Sequence, residues 1–279
     1  MNPLPDAVVA HLIEVVRAPD LSGTRYDLVR QIGRGGMGTV YLVFDRVLER
    51  QAALKVIGGT EAVEARVMAG LEHPGIVPVY DAGTLPDGRP YYVMRFVEGA
   101  RLDEFRRNTP GLVDRLRVFE KICDAVAFAH HSGILHRDLK PANIIVGRFG
   151  EVFVLDWGVG LVAGTPPYMA PEQAAGQGDA RADIYSLGVV LDFLLDAGKP
   201  RPLHAVAGKA ASPRPEGRYQ TPTAMIDEIQ RYLAGEAVEA YKESWAEALL
   251  RFCSRNKTLL LLMAAYLVVK FALYFLRRS

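Results

Sequence analysis

The sequence is poor in cysteine and has no excess of charge of either sign. Cys123 and Cys253 lie far apart, without a CxxC motif or a histidine at metal-ligand spacing, a pattern that fits a reducing compartment and structural thiols. The 33 basic and 32 acidic residues nearly cancel, so no global field favours a nucleic acid as partner. The start, MNPLPDAVV, lacks the charged residues and long apolar run of a signal peptide, and we expect it to stay in the cytoplasm.

The sequence does contain enough apolar residues for a sizeable core. Half of its 279 residues are hydrophobic, which allows one large core or a small lobe beside a larger one. Within residues 1–25, apolar side chains recur at helical spacing from Pro5 to Arg17, and Pro19 ends the pattern. We expect a short amphipathic helix that packs on the following domain, with a regulatory or dimer contact as the alternative.

The most informative stretch is HRDLKPANIIV, residues 136–146. It places a carboxylate (Asp138), an ammonium group (Lys140) and an amide (Asn143) in one short loop before a β-branched run. A carboxylate can accept a proton from an attacking hydroxyl, a cation can balance charge on a moving phosphoryl group, and an amide oxygen suits Mg²⁺. The loop resembles the catalytic loop of the bacterial eukaryotic-like Ser/Thr protein kinases, with Asp138 and Asn143 at the spacing of that motif.

A glycine-rich segment lies between two β-rich runs, YDLVRQIG and TVYLVFD. Because glycine has no Cβ, a hairpin of this composition can approach phosphates closely. Its position between strands resembles the kinase glycine-rich loop and not the strand-to-helix turn of a dinucleotide fold. The resemblance implies nucleotide contacts from Ile32, Gly33, Gly35, Gly36, Gly38 and Val40.

Lys55 lies in the middle of an apolar strand, where a charge is costly without a partner. In the kinase family this lysine contacts the nucleotide phosphates and is held by a glutamate on the next helix. The resemblance implies Glu64 as that glutamate, with Glu61 as the alternative. Glu64 follows Lys55 by only 9 positions, fewer than the family has, so we expect this helix to be shortened.

Residues 76–81 and 91–97 predict two further strands around the turn LPDGRP. The resemblance then assigns an adenine site. Met94 would close the back of the pocket, the backbone of Arg95, Phe96 and Val97 would pair with the adenine edge, and the base would lie between Val40, Ala53 and Ile145.

The stretch from Leu112 to His131 predicts a helix, since apolar residues recur at intervals of three and four and Gly133 supplies a stop. After it, the resemblance makes His136 a packing residue. It matches residues 156–158, DWG, to the family's DFG motif with Trp in place of Phe. This implies that Asp156 and Asn143 hold Mg²⁺, and that the larger Trp157 restricts the switching attributed to the Phe.

The segment after Asp156 is short for this family. Ala170 of the APE motif follows it by only 14 positions, and Thr165 and Tyr168 are the hydroxyl-bearing residues between them. The motif GTPPYMAPEQ makes Thr165 a floor residue of the substrate site, which leaves Arg137 without a dispensable phosphate to bind. We therefore expect activity that does not depend on phosphorylation of this segment.

The resemblance continues to Gly235. It implies that Asp183, at the start of a buried helix, orders the catalytic loop, and that Arg218 pairs with Glu172. Few residues separate Leu195 from Arg218, so we expect the substrate-docking helix of the family to be shortened or absent. The run TPTAMIDEIQRYLAG resembles the last helix of the domain, with Thr223 as its cap and Gly235 as its stop.

The C-terminal end predicts a membrane anchor. Residues 236–257 are charged and helical in pattern, and residues 258–276 are apolar all round and not on one stripe. A helix packed on the domain is the alternative. Lys270 lies close enough to the far end of the span to snorkel toward the interface.

These expectations combine into an α+β, bilobal protein-kinase-like fold with a C-terminal transmembrane helix. Residues 26–98 form a small antiparallel sheet lobe with one helix, and residues 99–235 a larger, mainly helical lobe. The resemblance implies a Ser/Thr protein kinase that uses ATP and Mg²⁺ on protein substrates. It would lie in the cytoplasm on a single-pass anchor in the inner membrane, with a homodimer allowed. A pseudokinase scaffold is the main alternative, and a small-molecule kinase is a weaker one.

Overall fold

A computed structural model describes residues 18–35, 38–57, 68–109, 111–157, 164–198 and 200–276. An antiparallel sheet of five strands in the order β1-β2-β3-β5-β4 forms the small lobe. Its strands are β1 (Tyr26–Gly35), β2 (Gly38–Asp45), β3 (Arg50–Ile57), β4 (Val79–Thr84) and β5 (Pro90–Arg95).

The alternation of side chains along β3 determines which of them face the cleft. Leu54 and Val56 belong to a small core on the outer face of the sheet, whereas Ala53 and Ile57 belong to the main core that continues into the large lobe. Because successive side chains point to opposite faces of a strand, Lys55 shares the face of Ala53 and Ile57. The sequence thus places one charged group on the face that the two lobes share.

The large lobe is mainly helical, and the bilobal fold predicted from the sequence is confirmed. A second sheet, in the order β6-β7-β8, lies beneath the cleft. Its strands are β6 (Gly99–Arg101), β7 (Ile144–Gly147) and β8 (Val152–Val154). The helices of the lobe are α1 (Leu102–Asn108), α2 (Leu112–His131), α3 (Pro171–Ala174), α4 (Ala180–Leu194), α5 (Arg201–Ala210) and α6 (Pro222–Leu233), with 3₁₀ turns at Pro141–Asn143 and Pro215–Gly217.

Two predicted helices of the large lobe are present. Helix α2 covers the predicted residues, and the left-handed φ of +74° at Gly133 ends it. In α4 the predicted inward residues are all fully buried: Ile184, Leu187, Leu191 and Leu194. Helix α5 is the one helix between α4 and Arg218 in the described part of the chain. A shortened or absent substrate-docking helix therefore stays a prediction.

Three boundaries differ from the sequence predictions. The strand predicted from residue 76 begins at Val79, because Ile76 instead forms a parallel bridge with Val154 of the large lobe. The next strand ends at Arg95 and not at residue 97. Helix α6 is capped by Thr221 and not by Thr223, because Pro222 occupies its first turn and Thr221 accepts the N–H of Ala224.

The predicted N-terminal helix, the helix after Lys55 and its Glu64 and Glu61, and Gly36 lie outside the described residues.

The C-terminal extension is only partly helical. The helix predicted over residues 236–257 begins at Trp245, where Ser244 and Glu247 form a capping box, and ends at Arg255 as α7. The preceding stretch packs on the large lobe, since Val238 is buried and Glu228 accepts the backbone N–H of Glu239. The lobe therefore continues past residue 235.

The apolar segment forms α8 (Lys257–Leu276). Among the described residues, no helix alone has the length and hydropathy expected of a membrane span. Helix α7 and residues 260–270 have them jointly, with a bend of 81° between the two parts.

Candidate active site

A cavity of about 640 Å³ lies between the lobes, within the size range of small-molecule sites. Every predicted site residue that the structure describes lines it: Ile32, Gly33, Gly35, Gly38, Val40, Ala53, Lys55, Met94, Phe96, Val97, Asp138, Lys140, Asn143, Ile145 and Asp156. A larger, more open groove of about 1220 Å³ runs beside Phe96 and Arg148, but Lys55, Asp138 and Asn143 are not part of it. The chemistry is therefore expected in the smaller cavity.

The roof of the cavity depends on one close backbone approach. Gly38 has a φ of +136°, and a Cβ on it would lie 2.2 Å from the carbonyl oxygen of Val56. Only glycine fits there, because both the backbone conformation and the contact exclude a side chain. Gly38 thus keeps β2 close to β3, in a register that sets Val40 opposite Lys55.

Lys55 makes an ion pair across the cleft. Its Nζ lies 2.9 Å from Oδ1 of Asp156, and the lysine is 3% exposed. Asp156 has a left-handed φ of 59°, a conformation that is strained for a residue with a Cβ and is typical of functional sites. The predicted glutamate partner lies outside the described residues, and Asp156 is an acidic partner within them.

Asp138 and Lys140 of the catalytic loop form a closed triangle of hydrogen bonds with Thr165. Lys140 Nζ donates to Asp138 Oδ2 at 2.6 Å and to Thr165 Oγ1 at 2.7 Å. The Thr165 hydroxyl in turn donates to Asp138 Oδ1 at 2.8 Å. A carboxylate, a cation and a hydroxyl are therefore fixed together at the floor of the cavity.

Asn143 is oriented by the same loop. Its Nδ2 donates to the carbonyl oxygen of Asp138 at 2.9 Å and to Asp138 Oδ2 at 3.2 Å. Both of these bonds use the amide nitrogen, and the 3₁₀ turn Pro141–Asn143 places Asn143 on the cavity wall. Asn143 and Asp156 offer the amide and carboxylate oxygens that Mg²⁺ takes together with substrate phosphates, so the site fits that ion.

The chain matches the family "Protein kinase domain" over residues 26–213. It belongs to the protein kinase family. It is 33% identical to the serine/threonine-protein kinase PknD of Protochlamydia amoebophila and 34% identical to PknD of Chlamydia felis, over 76% of this chain in both cases. PknD of Chlamydia caviae is 36% identical over 63% of this chain. The chain spans about 30% of the length of the first two relatives and 24% of the third.

Asp183, in the first turn of α4, holds the backbone of the catalytic loop. Its Oδ1 accepts the N–H of Arg137 and its Oδ2 the N–H of His136, both at 2.8 Å, and His130 Nε2 lies 2.8 Å from Oδ2. Burial raises the pKa of Asp183, but the hydrogen bonds from His130 and from the backbone N–H of His136 outweigh it, so this pKa lies below its ordinary value. Asp183 therefore fixes the loop backbone at His136 and Arg137, which agrees with the ordering role that the resemblance implied.

His136 is a packing residue, as the resemblance implied. Its Nε2 lies 2.8 Å from the carbonyl oxygen of Leu155 and its Nδ1 3.2 Å from the N–H of Asp138, so Nε2 donates and Nδ1 accepts. Burial lowers the pKa of His136, which favours this neutral form. The Trp157 ring packs against it at 4.8 Å and donates its Nε1–H to Val154. Trp157 is completely buried, and its ring N–H is held by a bond that a Phe lacks.

The segment after the cleft is fastened by the predicted pair of Arg218 and Glu172. The guanidinium donates to both carboxylate oxygens, at 2.6 and 2.8 Å, and the Arg218 side chain is fully buried. Burial raises the pKa of Glu172, but the hydrogen bonds from Arg218 have the larger combined effect with the other favourable contacts, so this pKa lies below its ordinary value. Ser186 of α4 also donates to the carbonyl oxygen of Tyr168, which ties the segment to the core of the lobe.

Sequence reasoning missed several residues of the cavity wall: Arg34, Gly99, Arg101, Ala142, Leu155 and Gly164. Four of them, Arg34, Ala142, Leu155 and Gly164, adjoin predicted site residues in sequence, and that adjacency was the one available signal. The hydrogen bond between Thr165 and Asp138 joins positions 27 apart, and no local pattern indicates it.

Proposed function

We propose that this kinase transfers the γ-phosphate of ATP to Ser or Thr hydroxyls of proteins and is held at a membrane by its C-terminal helix. The observation that carries the proposal is the triangle of Asp138, Lys140 and Thr165 in the same cleft as the ion pair of Lys55 and Asp156. A binding-only role would not require these five groups to converge.

Each group has a task that follows from its position. Asp138 accepts the proton of an acceptor hydroxyl and orients it, and the Lys140 ammonium beside it balances negative charge. Lys55 is positioned to hold phosphate oxygens at the roof, and Asn143 and Asp156 to hold the metal ion. MgATP, when bound, supplies the phosphoryl group, and catalysis by the protein is mainly positioning and electrostatics.

Ser and Thr are favoured as acceptors on two grounds. Lys140 follows Asp138 by two positions, and GTPPYMAPEQ resembles the segment that receives protein substrates in Ser/Thr kinases. The relatives that carry the name serine/threonine-protein kinase support the same class.

Control by phosphorylation of the short segment is not part of this proposal. The Thr165 hydroxyl is engaged by both Asp138 and Lys140, so a phosphate there would break the triangle and bring a second negative group against Asp138. Mass spectrometry of the active protein should show no phosphate on Thr165 or Tyr168 that is needed for turnover. A stoichiometric, activity-dependent phosphate on either residue would refute this part.

Membrane attachment is proposed from the apolar composition of residues 258–276 and from the exposure of α8 to solvent. The need for ATP places the kinase domain in the cytoplasm, on the inner membrane. The full chain should stay with the membrane fraction through alkaline extraction, and its recovery in the soluble fraction would contradict the anchor.

The catalytic proposal is tested with labelled ATP. Wild-type chain should transfer label to itself or to a general protein substrate, and acid hydrolysis should release phosphoserine or phosphothreonine. Lys55→Met should abolish transfer, whereas Lys121→Met, a matched change at an exposed lysine bound to the carbonyl of Gly150, should not. Nucleotide binding by wild-type chain without any transfer would support the pseudokinase scaffold instead.

A further inference from the structure

A surface helix of a soluble protein normally turns its apolar stripe toward the core and its polar side toward water. Helix α7 does the opposite, with its apolar side exposed. The apolar residues Trp245, Leu249 and Phe252 recur at intervals of four and three and are 82%, 53% and 55% exposed. Leu250, beside them, is 70% exposed. An apolar face of this kind on the outside of a domain marks an interaction surface.

The polar side of α7 faces the protein itself. Arg251 makes an ion pair with Glu243, with an N–O distance of 2.9 Å, and Arg255 lies 3.2 Å from Glu236. Glu247 accepts the hydroxyl of Tyr241 at 2.9 Å. These partners belong to the stretch that packs on the large lobe, so the ion pairs hold α7 with its apolar side turned outward.

The helix that follows indicates what covers this face. Helix α8 begins two residues after α7 ends. From Leu261 to Val269 its large apolar side chains are more than half exposed: Leu261, Leu262, Met263, Tyr266, Leu267, Val268 and Val269. The two helices meet at 81°. If α8 crosses a bilayer, a helix at nearly a right angle to it lies close to the membrane plane, and Lys257 at the corner suits anionic headgroups.

We propose that α7 is an interfacial helix that lies in the surface of the membrane and fixes the kinase domain against it. Its apolar side, with Trp245, Leu249 and Phe252, enters the boundary between headgroups and acyl chains, a depth of about 5–10 Å. Its polar side carries the domain through the ion pairs of Arg251 and Arg255. This inference rests on the proposed anchor, and it adds a fixed orientation of the domain to it.

The two tryptophans of the chain offer a native probe. Trp157 is completely buried, whereas Trp245 is 82% exposed, so the difference in emission between wild type and Trp245→Phe isolates Trp245. The full chain is reconstituted in vesicles of phosphatidylcholine and phosphatidylglycerol that contain lipids brominated near the headgroup end or near the tip of the acyl chain. We expect the shallow bromines to quench Trp245 strongly, the deep bromines to quench it less, and aqueous acrylamide to reach it poorly.

A pair of variants separates α7 from the anchor. Leu249→Glu should restore access of acrylamide to Trp245 while the chain still floats with the vesicles, and the matched change Ser254→Glu on the polar side should leave the quenching by bromolipid intact.

Three outcomes would overturn the inference. If the chain floats with the vesicles but Trp245 is open to acrylamide and unquenched by bromine, α7 is not interfacial and the anchor stands. If Trp245 is shielded from acrylamide but unquenched by bromine, protein covers it, for example a second copy. If the chain does not float, the anchor fails and the interfacial helix fails with it.

Discussion

At the scale of single residues, the site depends on short side chains that hold one another in place. Asp138 has few rotatable bonds, and its carboxylate is also held in place by Lys140 on one oxygen and by Thr165 on the other. A preorganised carboxylate loses little freedom when an acceptor hydroxyl arrives, which is the main way in which a kinase lowers its barrier.

Thr165→Val should lower kcat by roughly tenfold to a hundredfold, because a small displacement of a reacting group can cost about 10²-fold in rate. The variant removes the hydroxyl that donates to Asp138 and accepts from Lys140 while it keeps the branched shape. The conservative variant Thr165→Ser should stay near the wild-type rate. Steady-state kinetics on both variants, with thermal unfolding to check folding, makes the comparison. An unchanged kcat in Thr165→Val would refute the role of the triangle.

Glu172→Gln should destabilise the protein near neutral pH by about 2 kcal/mol, because it leaves the buried Arg218 without its charge partner. The pKa of Glu172 is lowered by folding, so its contribution is present above the ordinary value of 4.5 and is lost as the pH falls below it. The difference from wild type should therefore shrink in acid.

Urea unfolding at a series of pH values measures this difference. Glu239→Gln is the control, since its ion pair with Arg231 is exposed and screened by water, so this variant should unfold close to wild type. A difference between Glu172→Gln and wild type that stays constant with pH would contradict the assignment.

The residues of the cleft show what the sequence could and could not predict. The motifs predicted Asp138, Asn143 and Lys55 for one site, and all three line the same cavity. It did not indicate the ion pair of Lys55 with Asp156, because those positions are 101 apart and meet through packing of the two lobes. The left-handed backbone of Asp156 also depends on its surroundings and not on its own preference.

At the scale of elements, helix ends are decided by one or two residues. Thr223 was predicted as the cap of α6, whereas Thr221 has that place in the structure. Pro222 settles the choice, because proline is favoured in the first turn and so makes the preceding Thr221 the cap. The observed start of strand β4 differs from the predicted one for another reason, because Ile76 forms a bridge with Val154 of the large lobe. Such tertiary contacts are not visible in a local pattern.

Thr221→Ala should lower the free energy of unfolding by about 1 kcal/mol, the usual effect of losing a helix cap. The Thr221 hydroxyl accepts the N–H of Ala224, which would lose its partner. Thr223→Ala is the matched control and should have a smaller effect, because Thr223 only donates to Thr221. Chemical denaturation of the two variants decides between them. Equal destabilisation would show that Thr221 does not act as the cap.

At the scale of the whole molecule, one core joins the two lobes across the cleft. Ile57, Tyr92 and Met94 of the small lobe belong to the same buried cluster as Leu116 and Leu191 of the large lobe. The catalytic groups therefore lie on the walls of a cleft whose two sides share a hydrophobic base. Composition allowed one large core or two lobes and the resemblance implied two, but the continuity of the core follows from long-range packing.

We have proposed that this cleft transfers phosphate and that Asp138 acts on the acceptor hydroxyl. Single-turnover transfer from labelled ATP, measured together with nucleotide binding, tests it most directly in Asp138→Asn and in the control Asp87→Asn, the same change in an exposed turn. We expect Asp138→Asn to bind nucleotide and to lose transfer by about 10²-fold or more, whereas Asp87→Asn behaves as wild type. Undiminished transfer in Asp138→Asn would contradict the account.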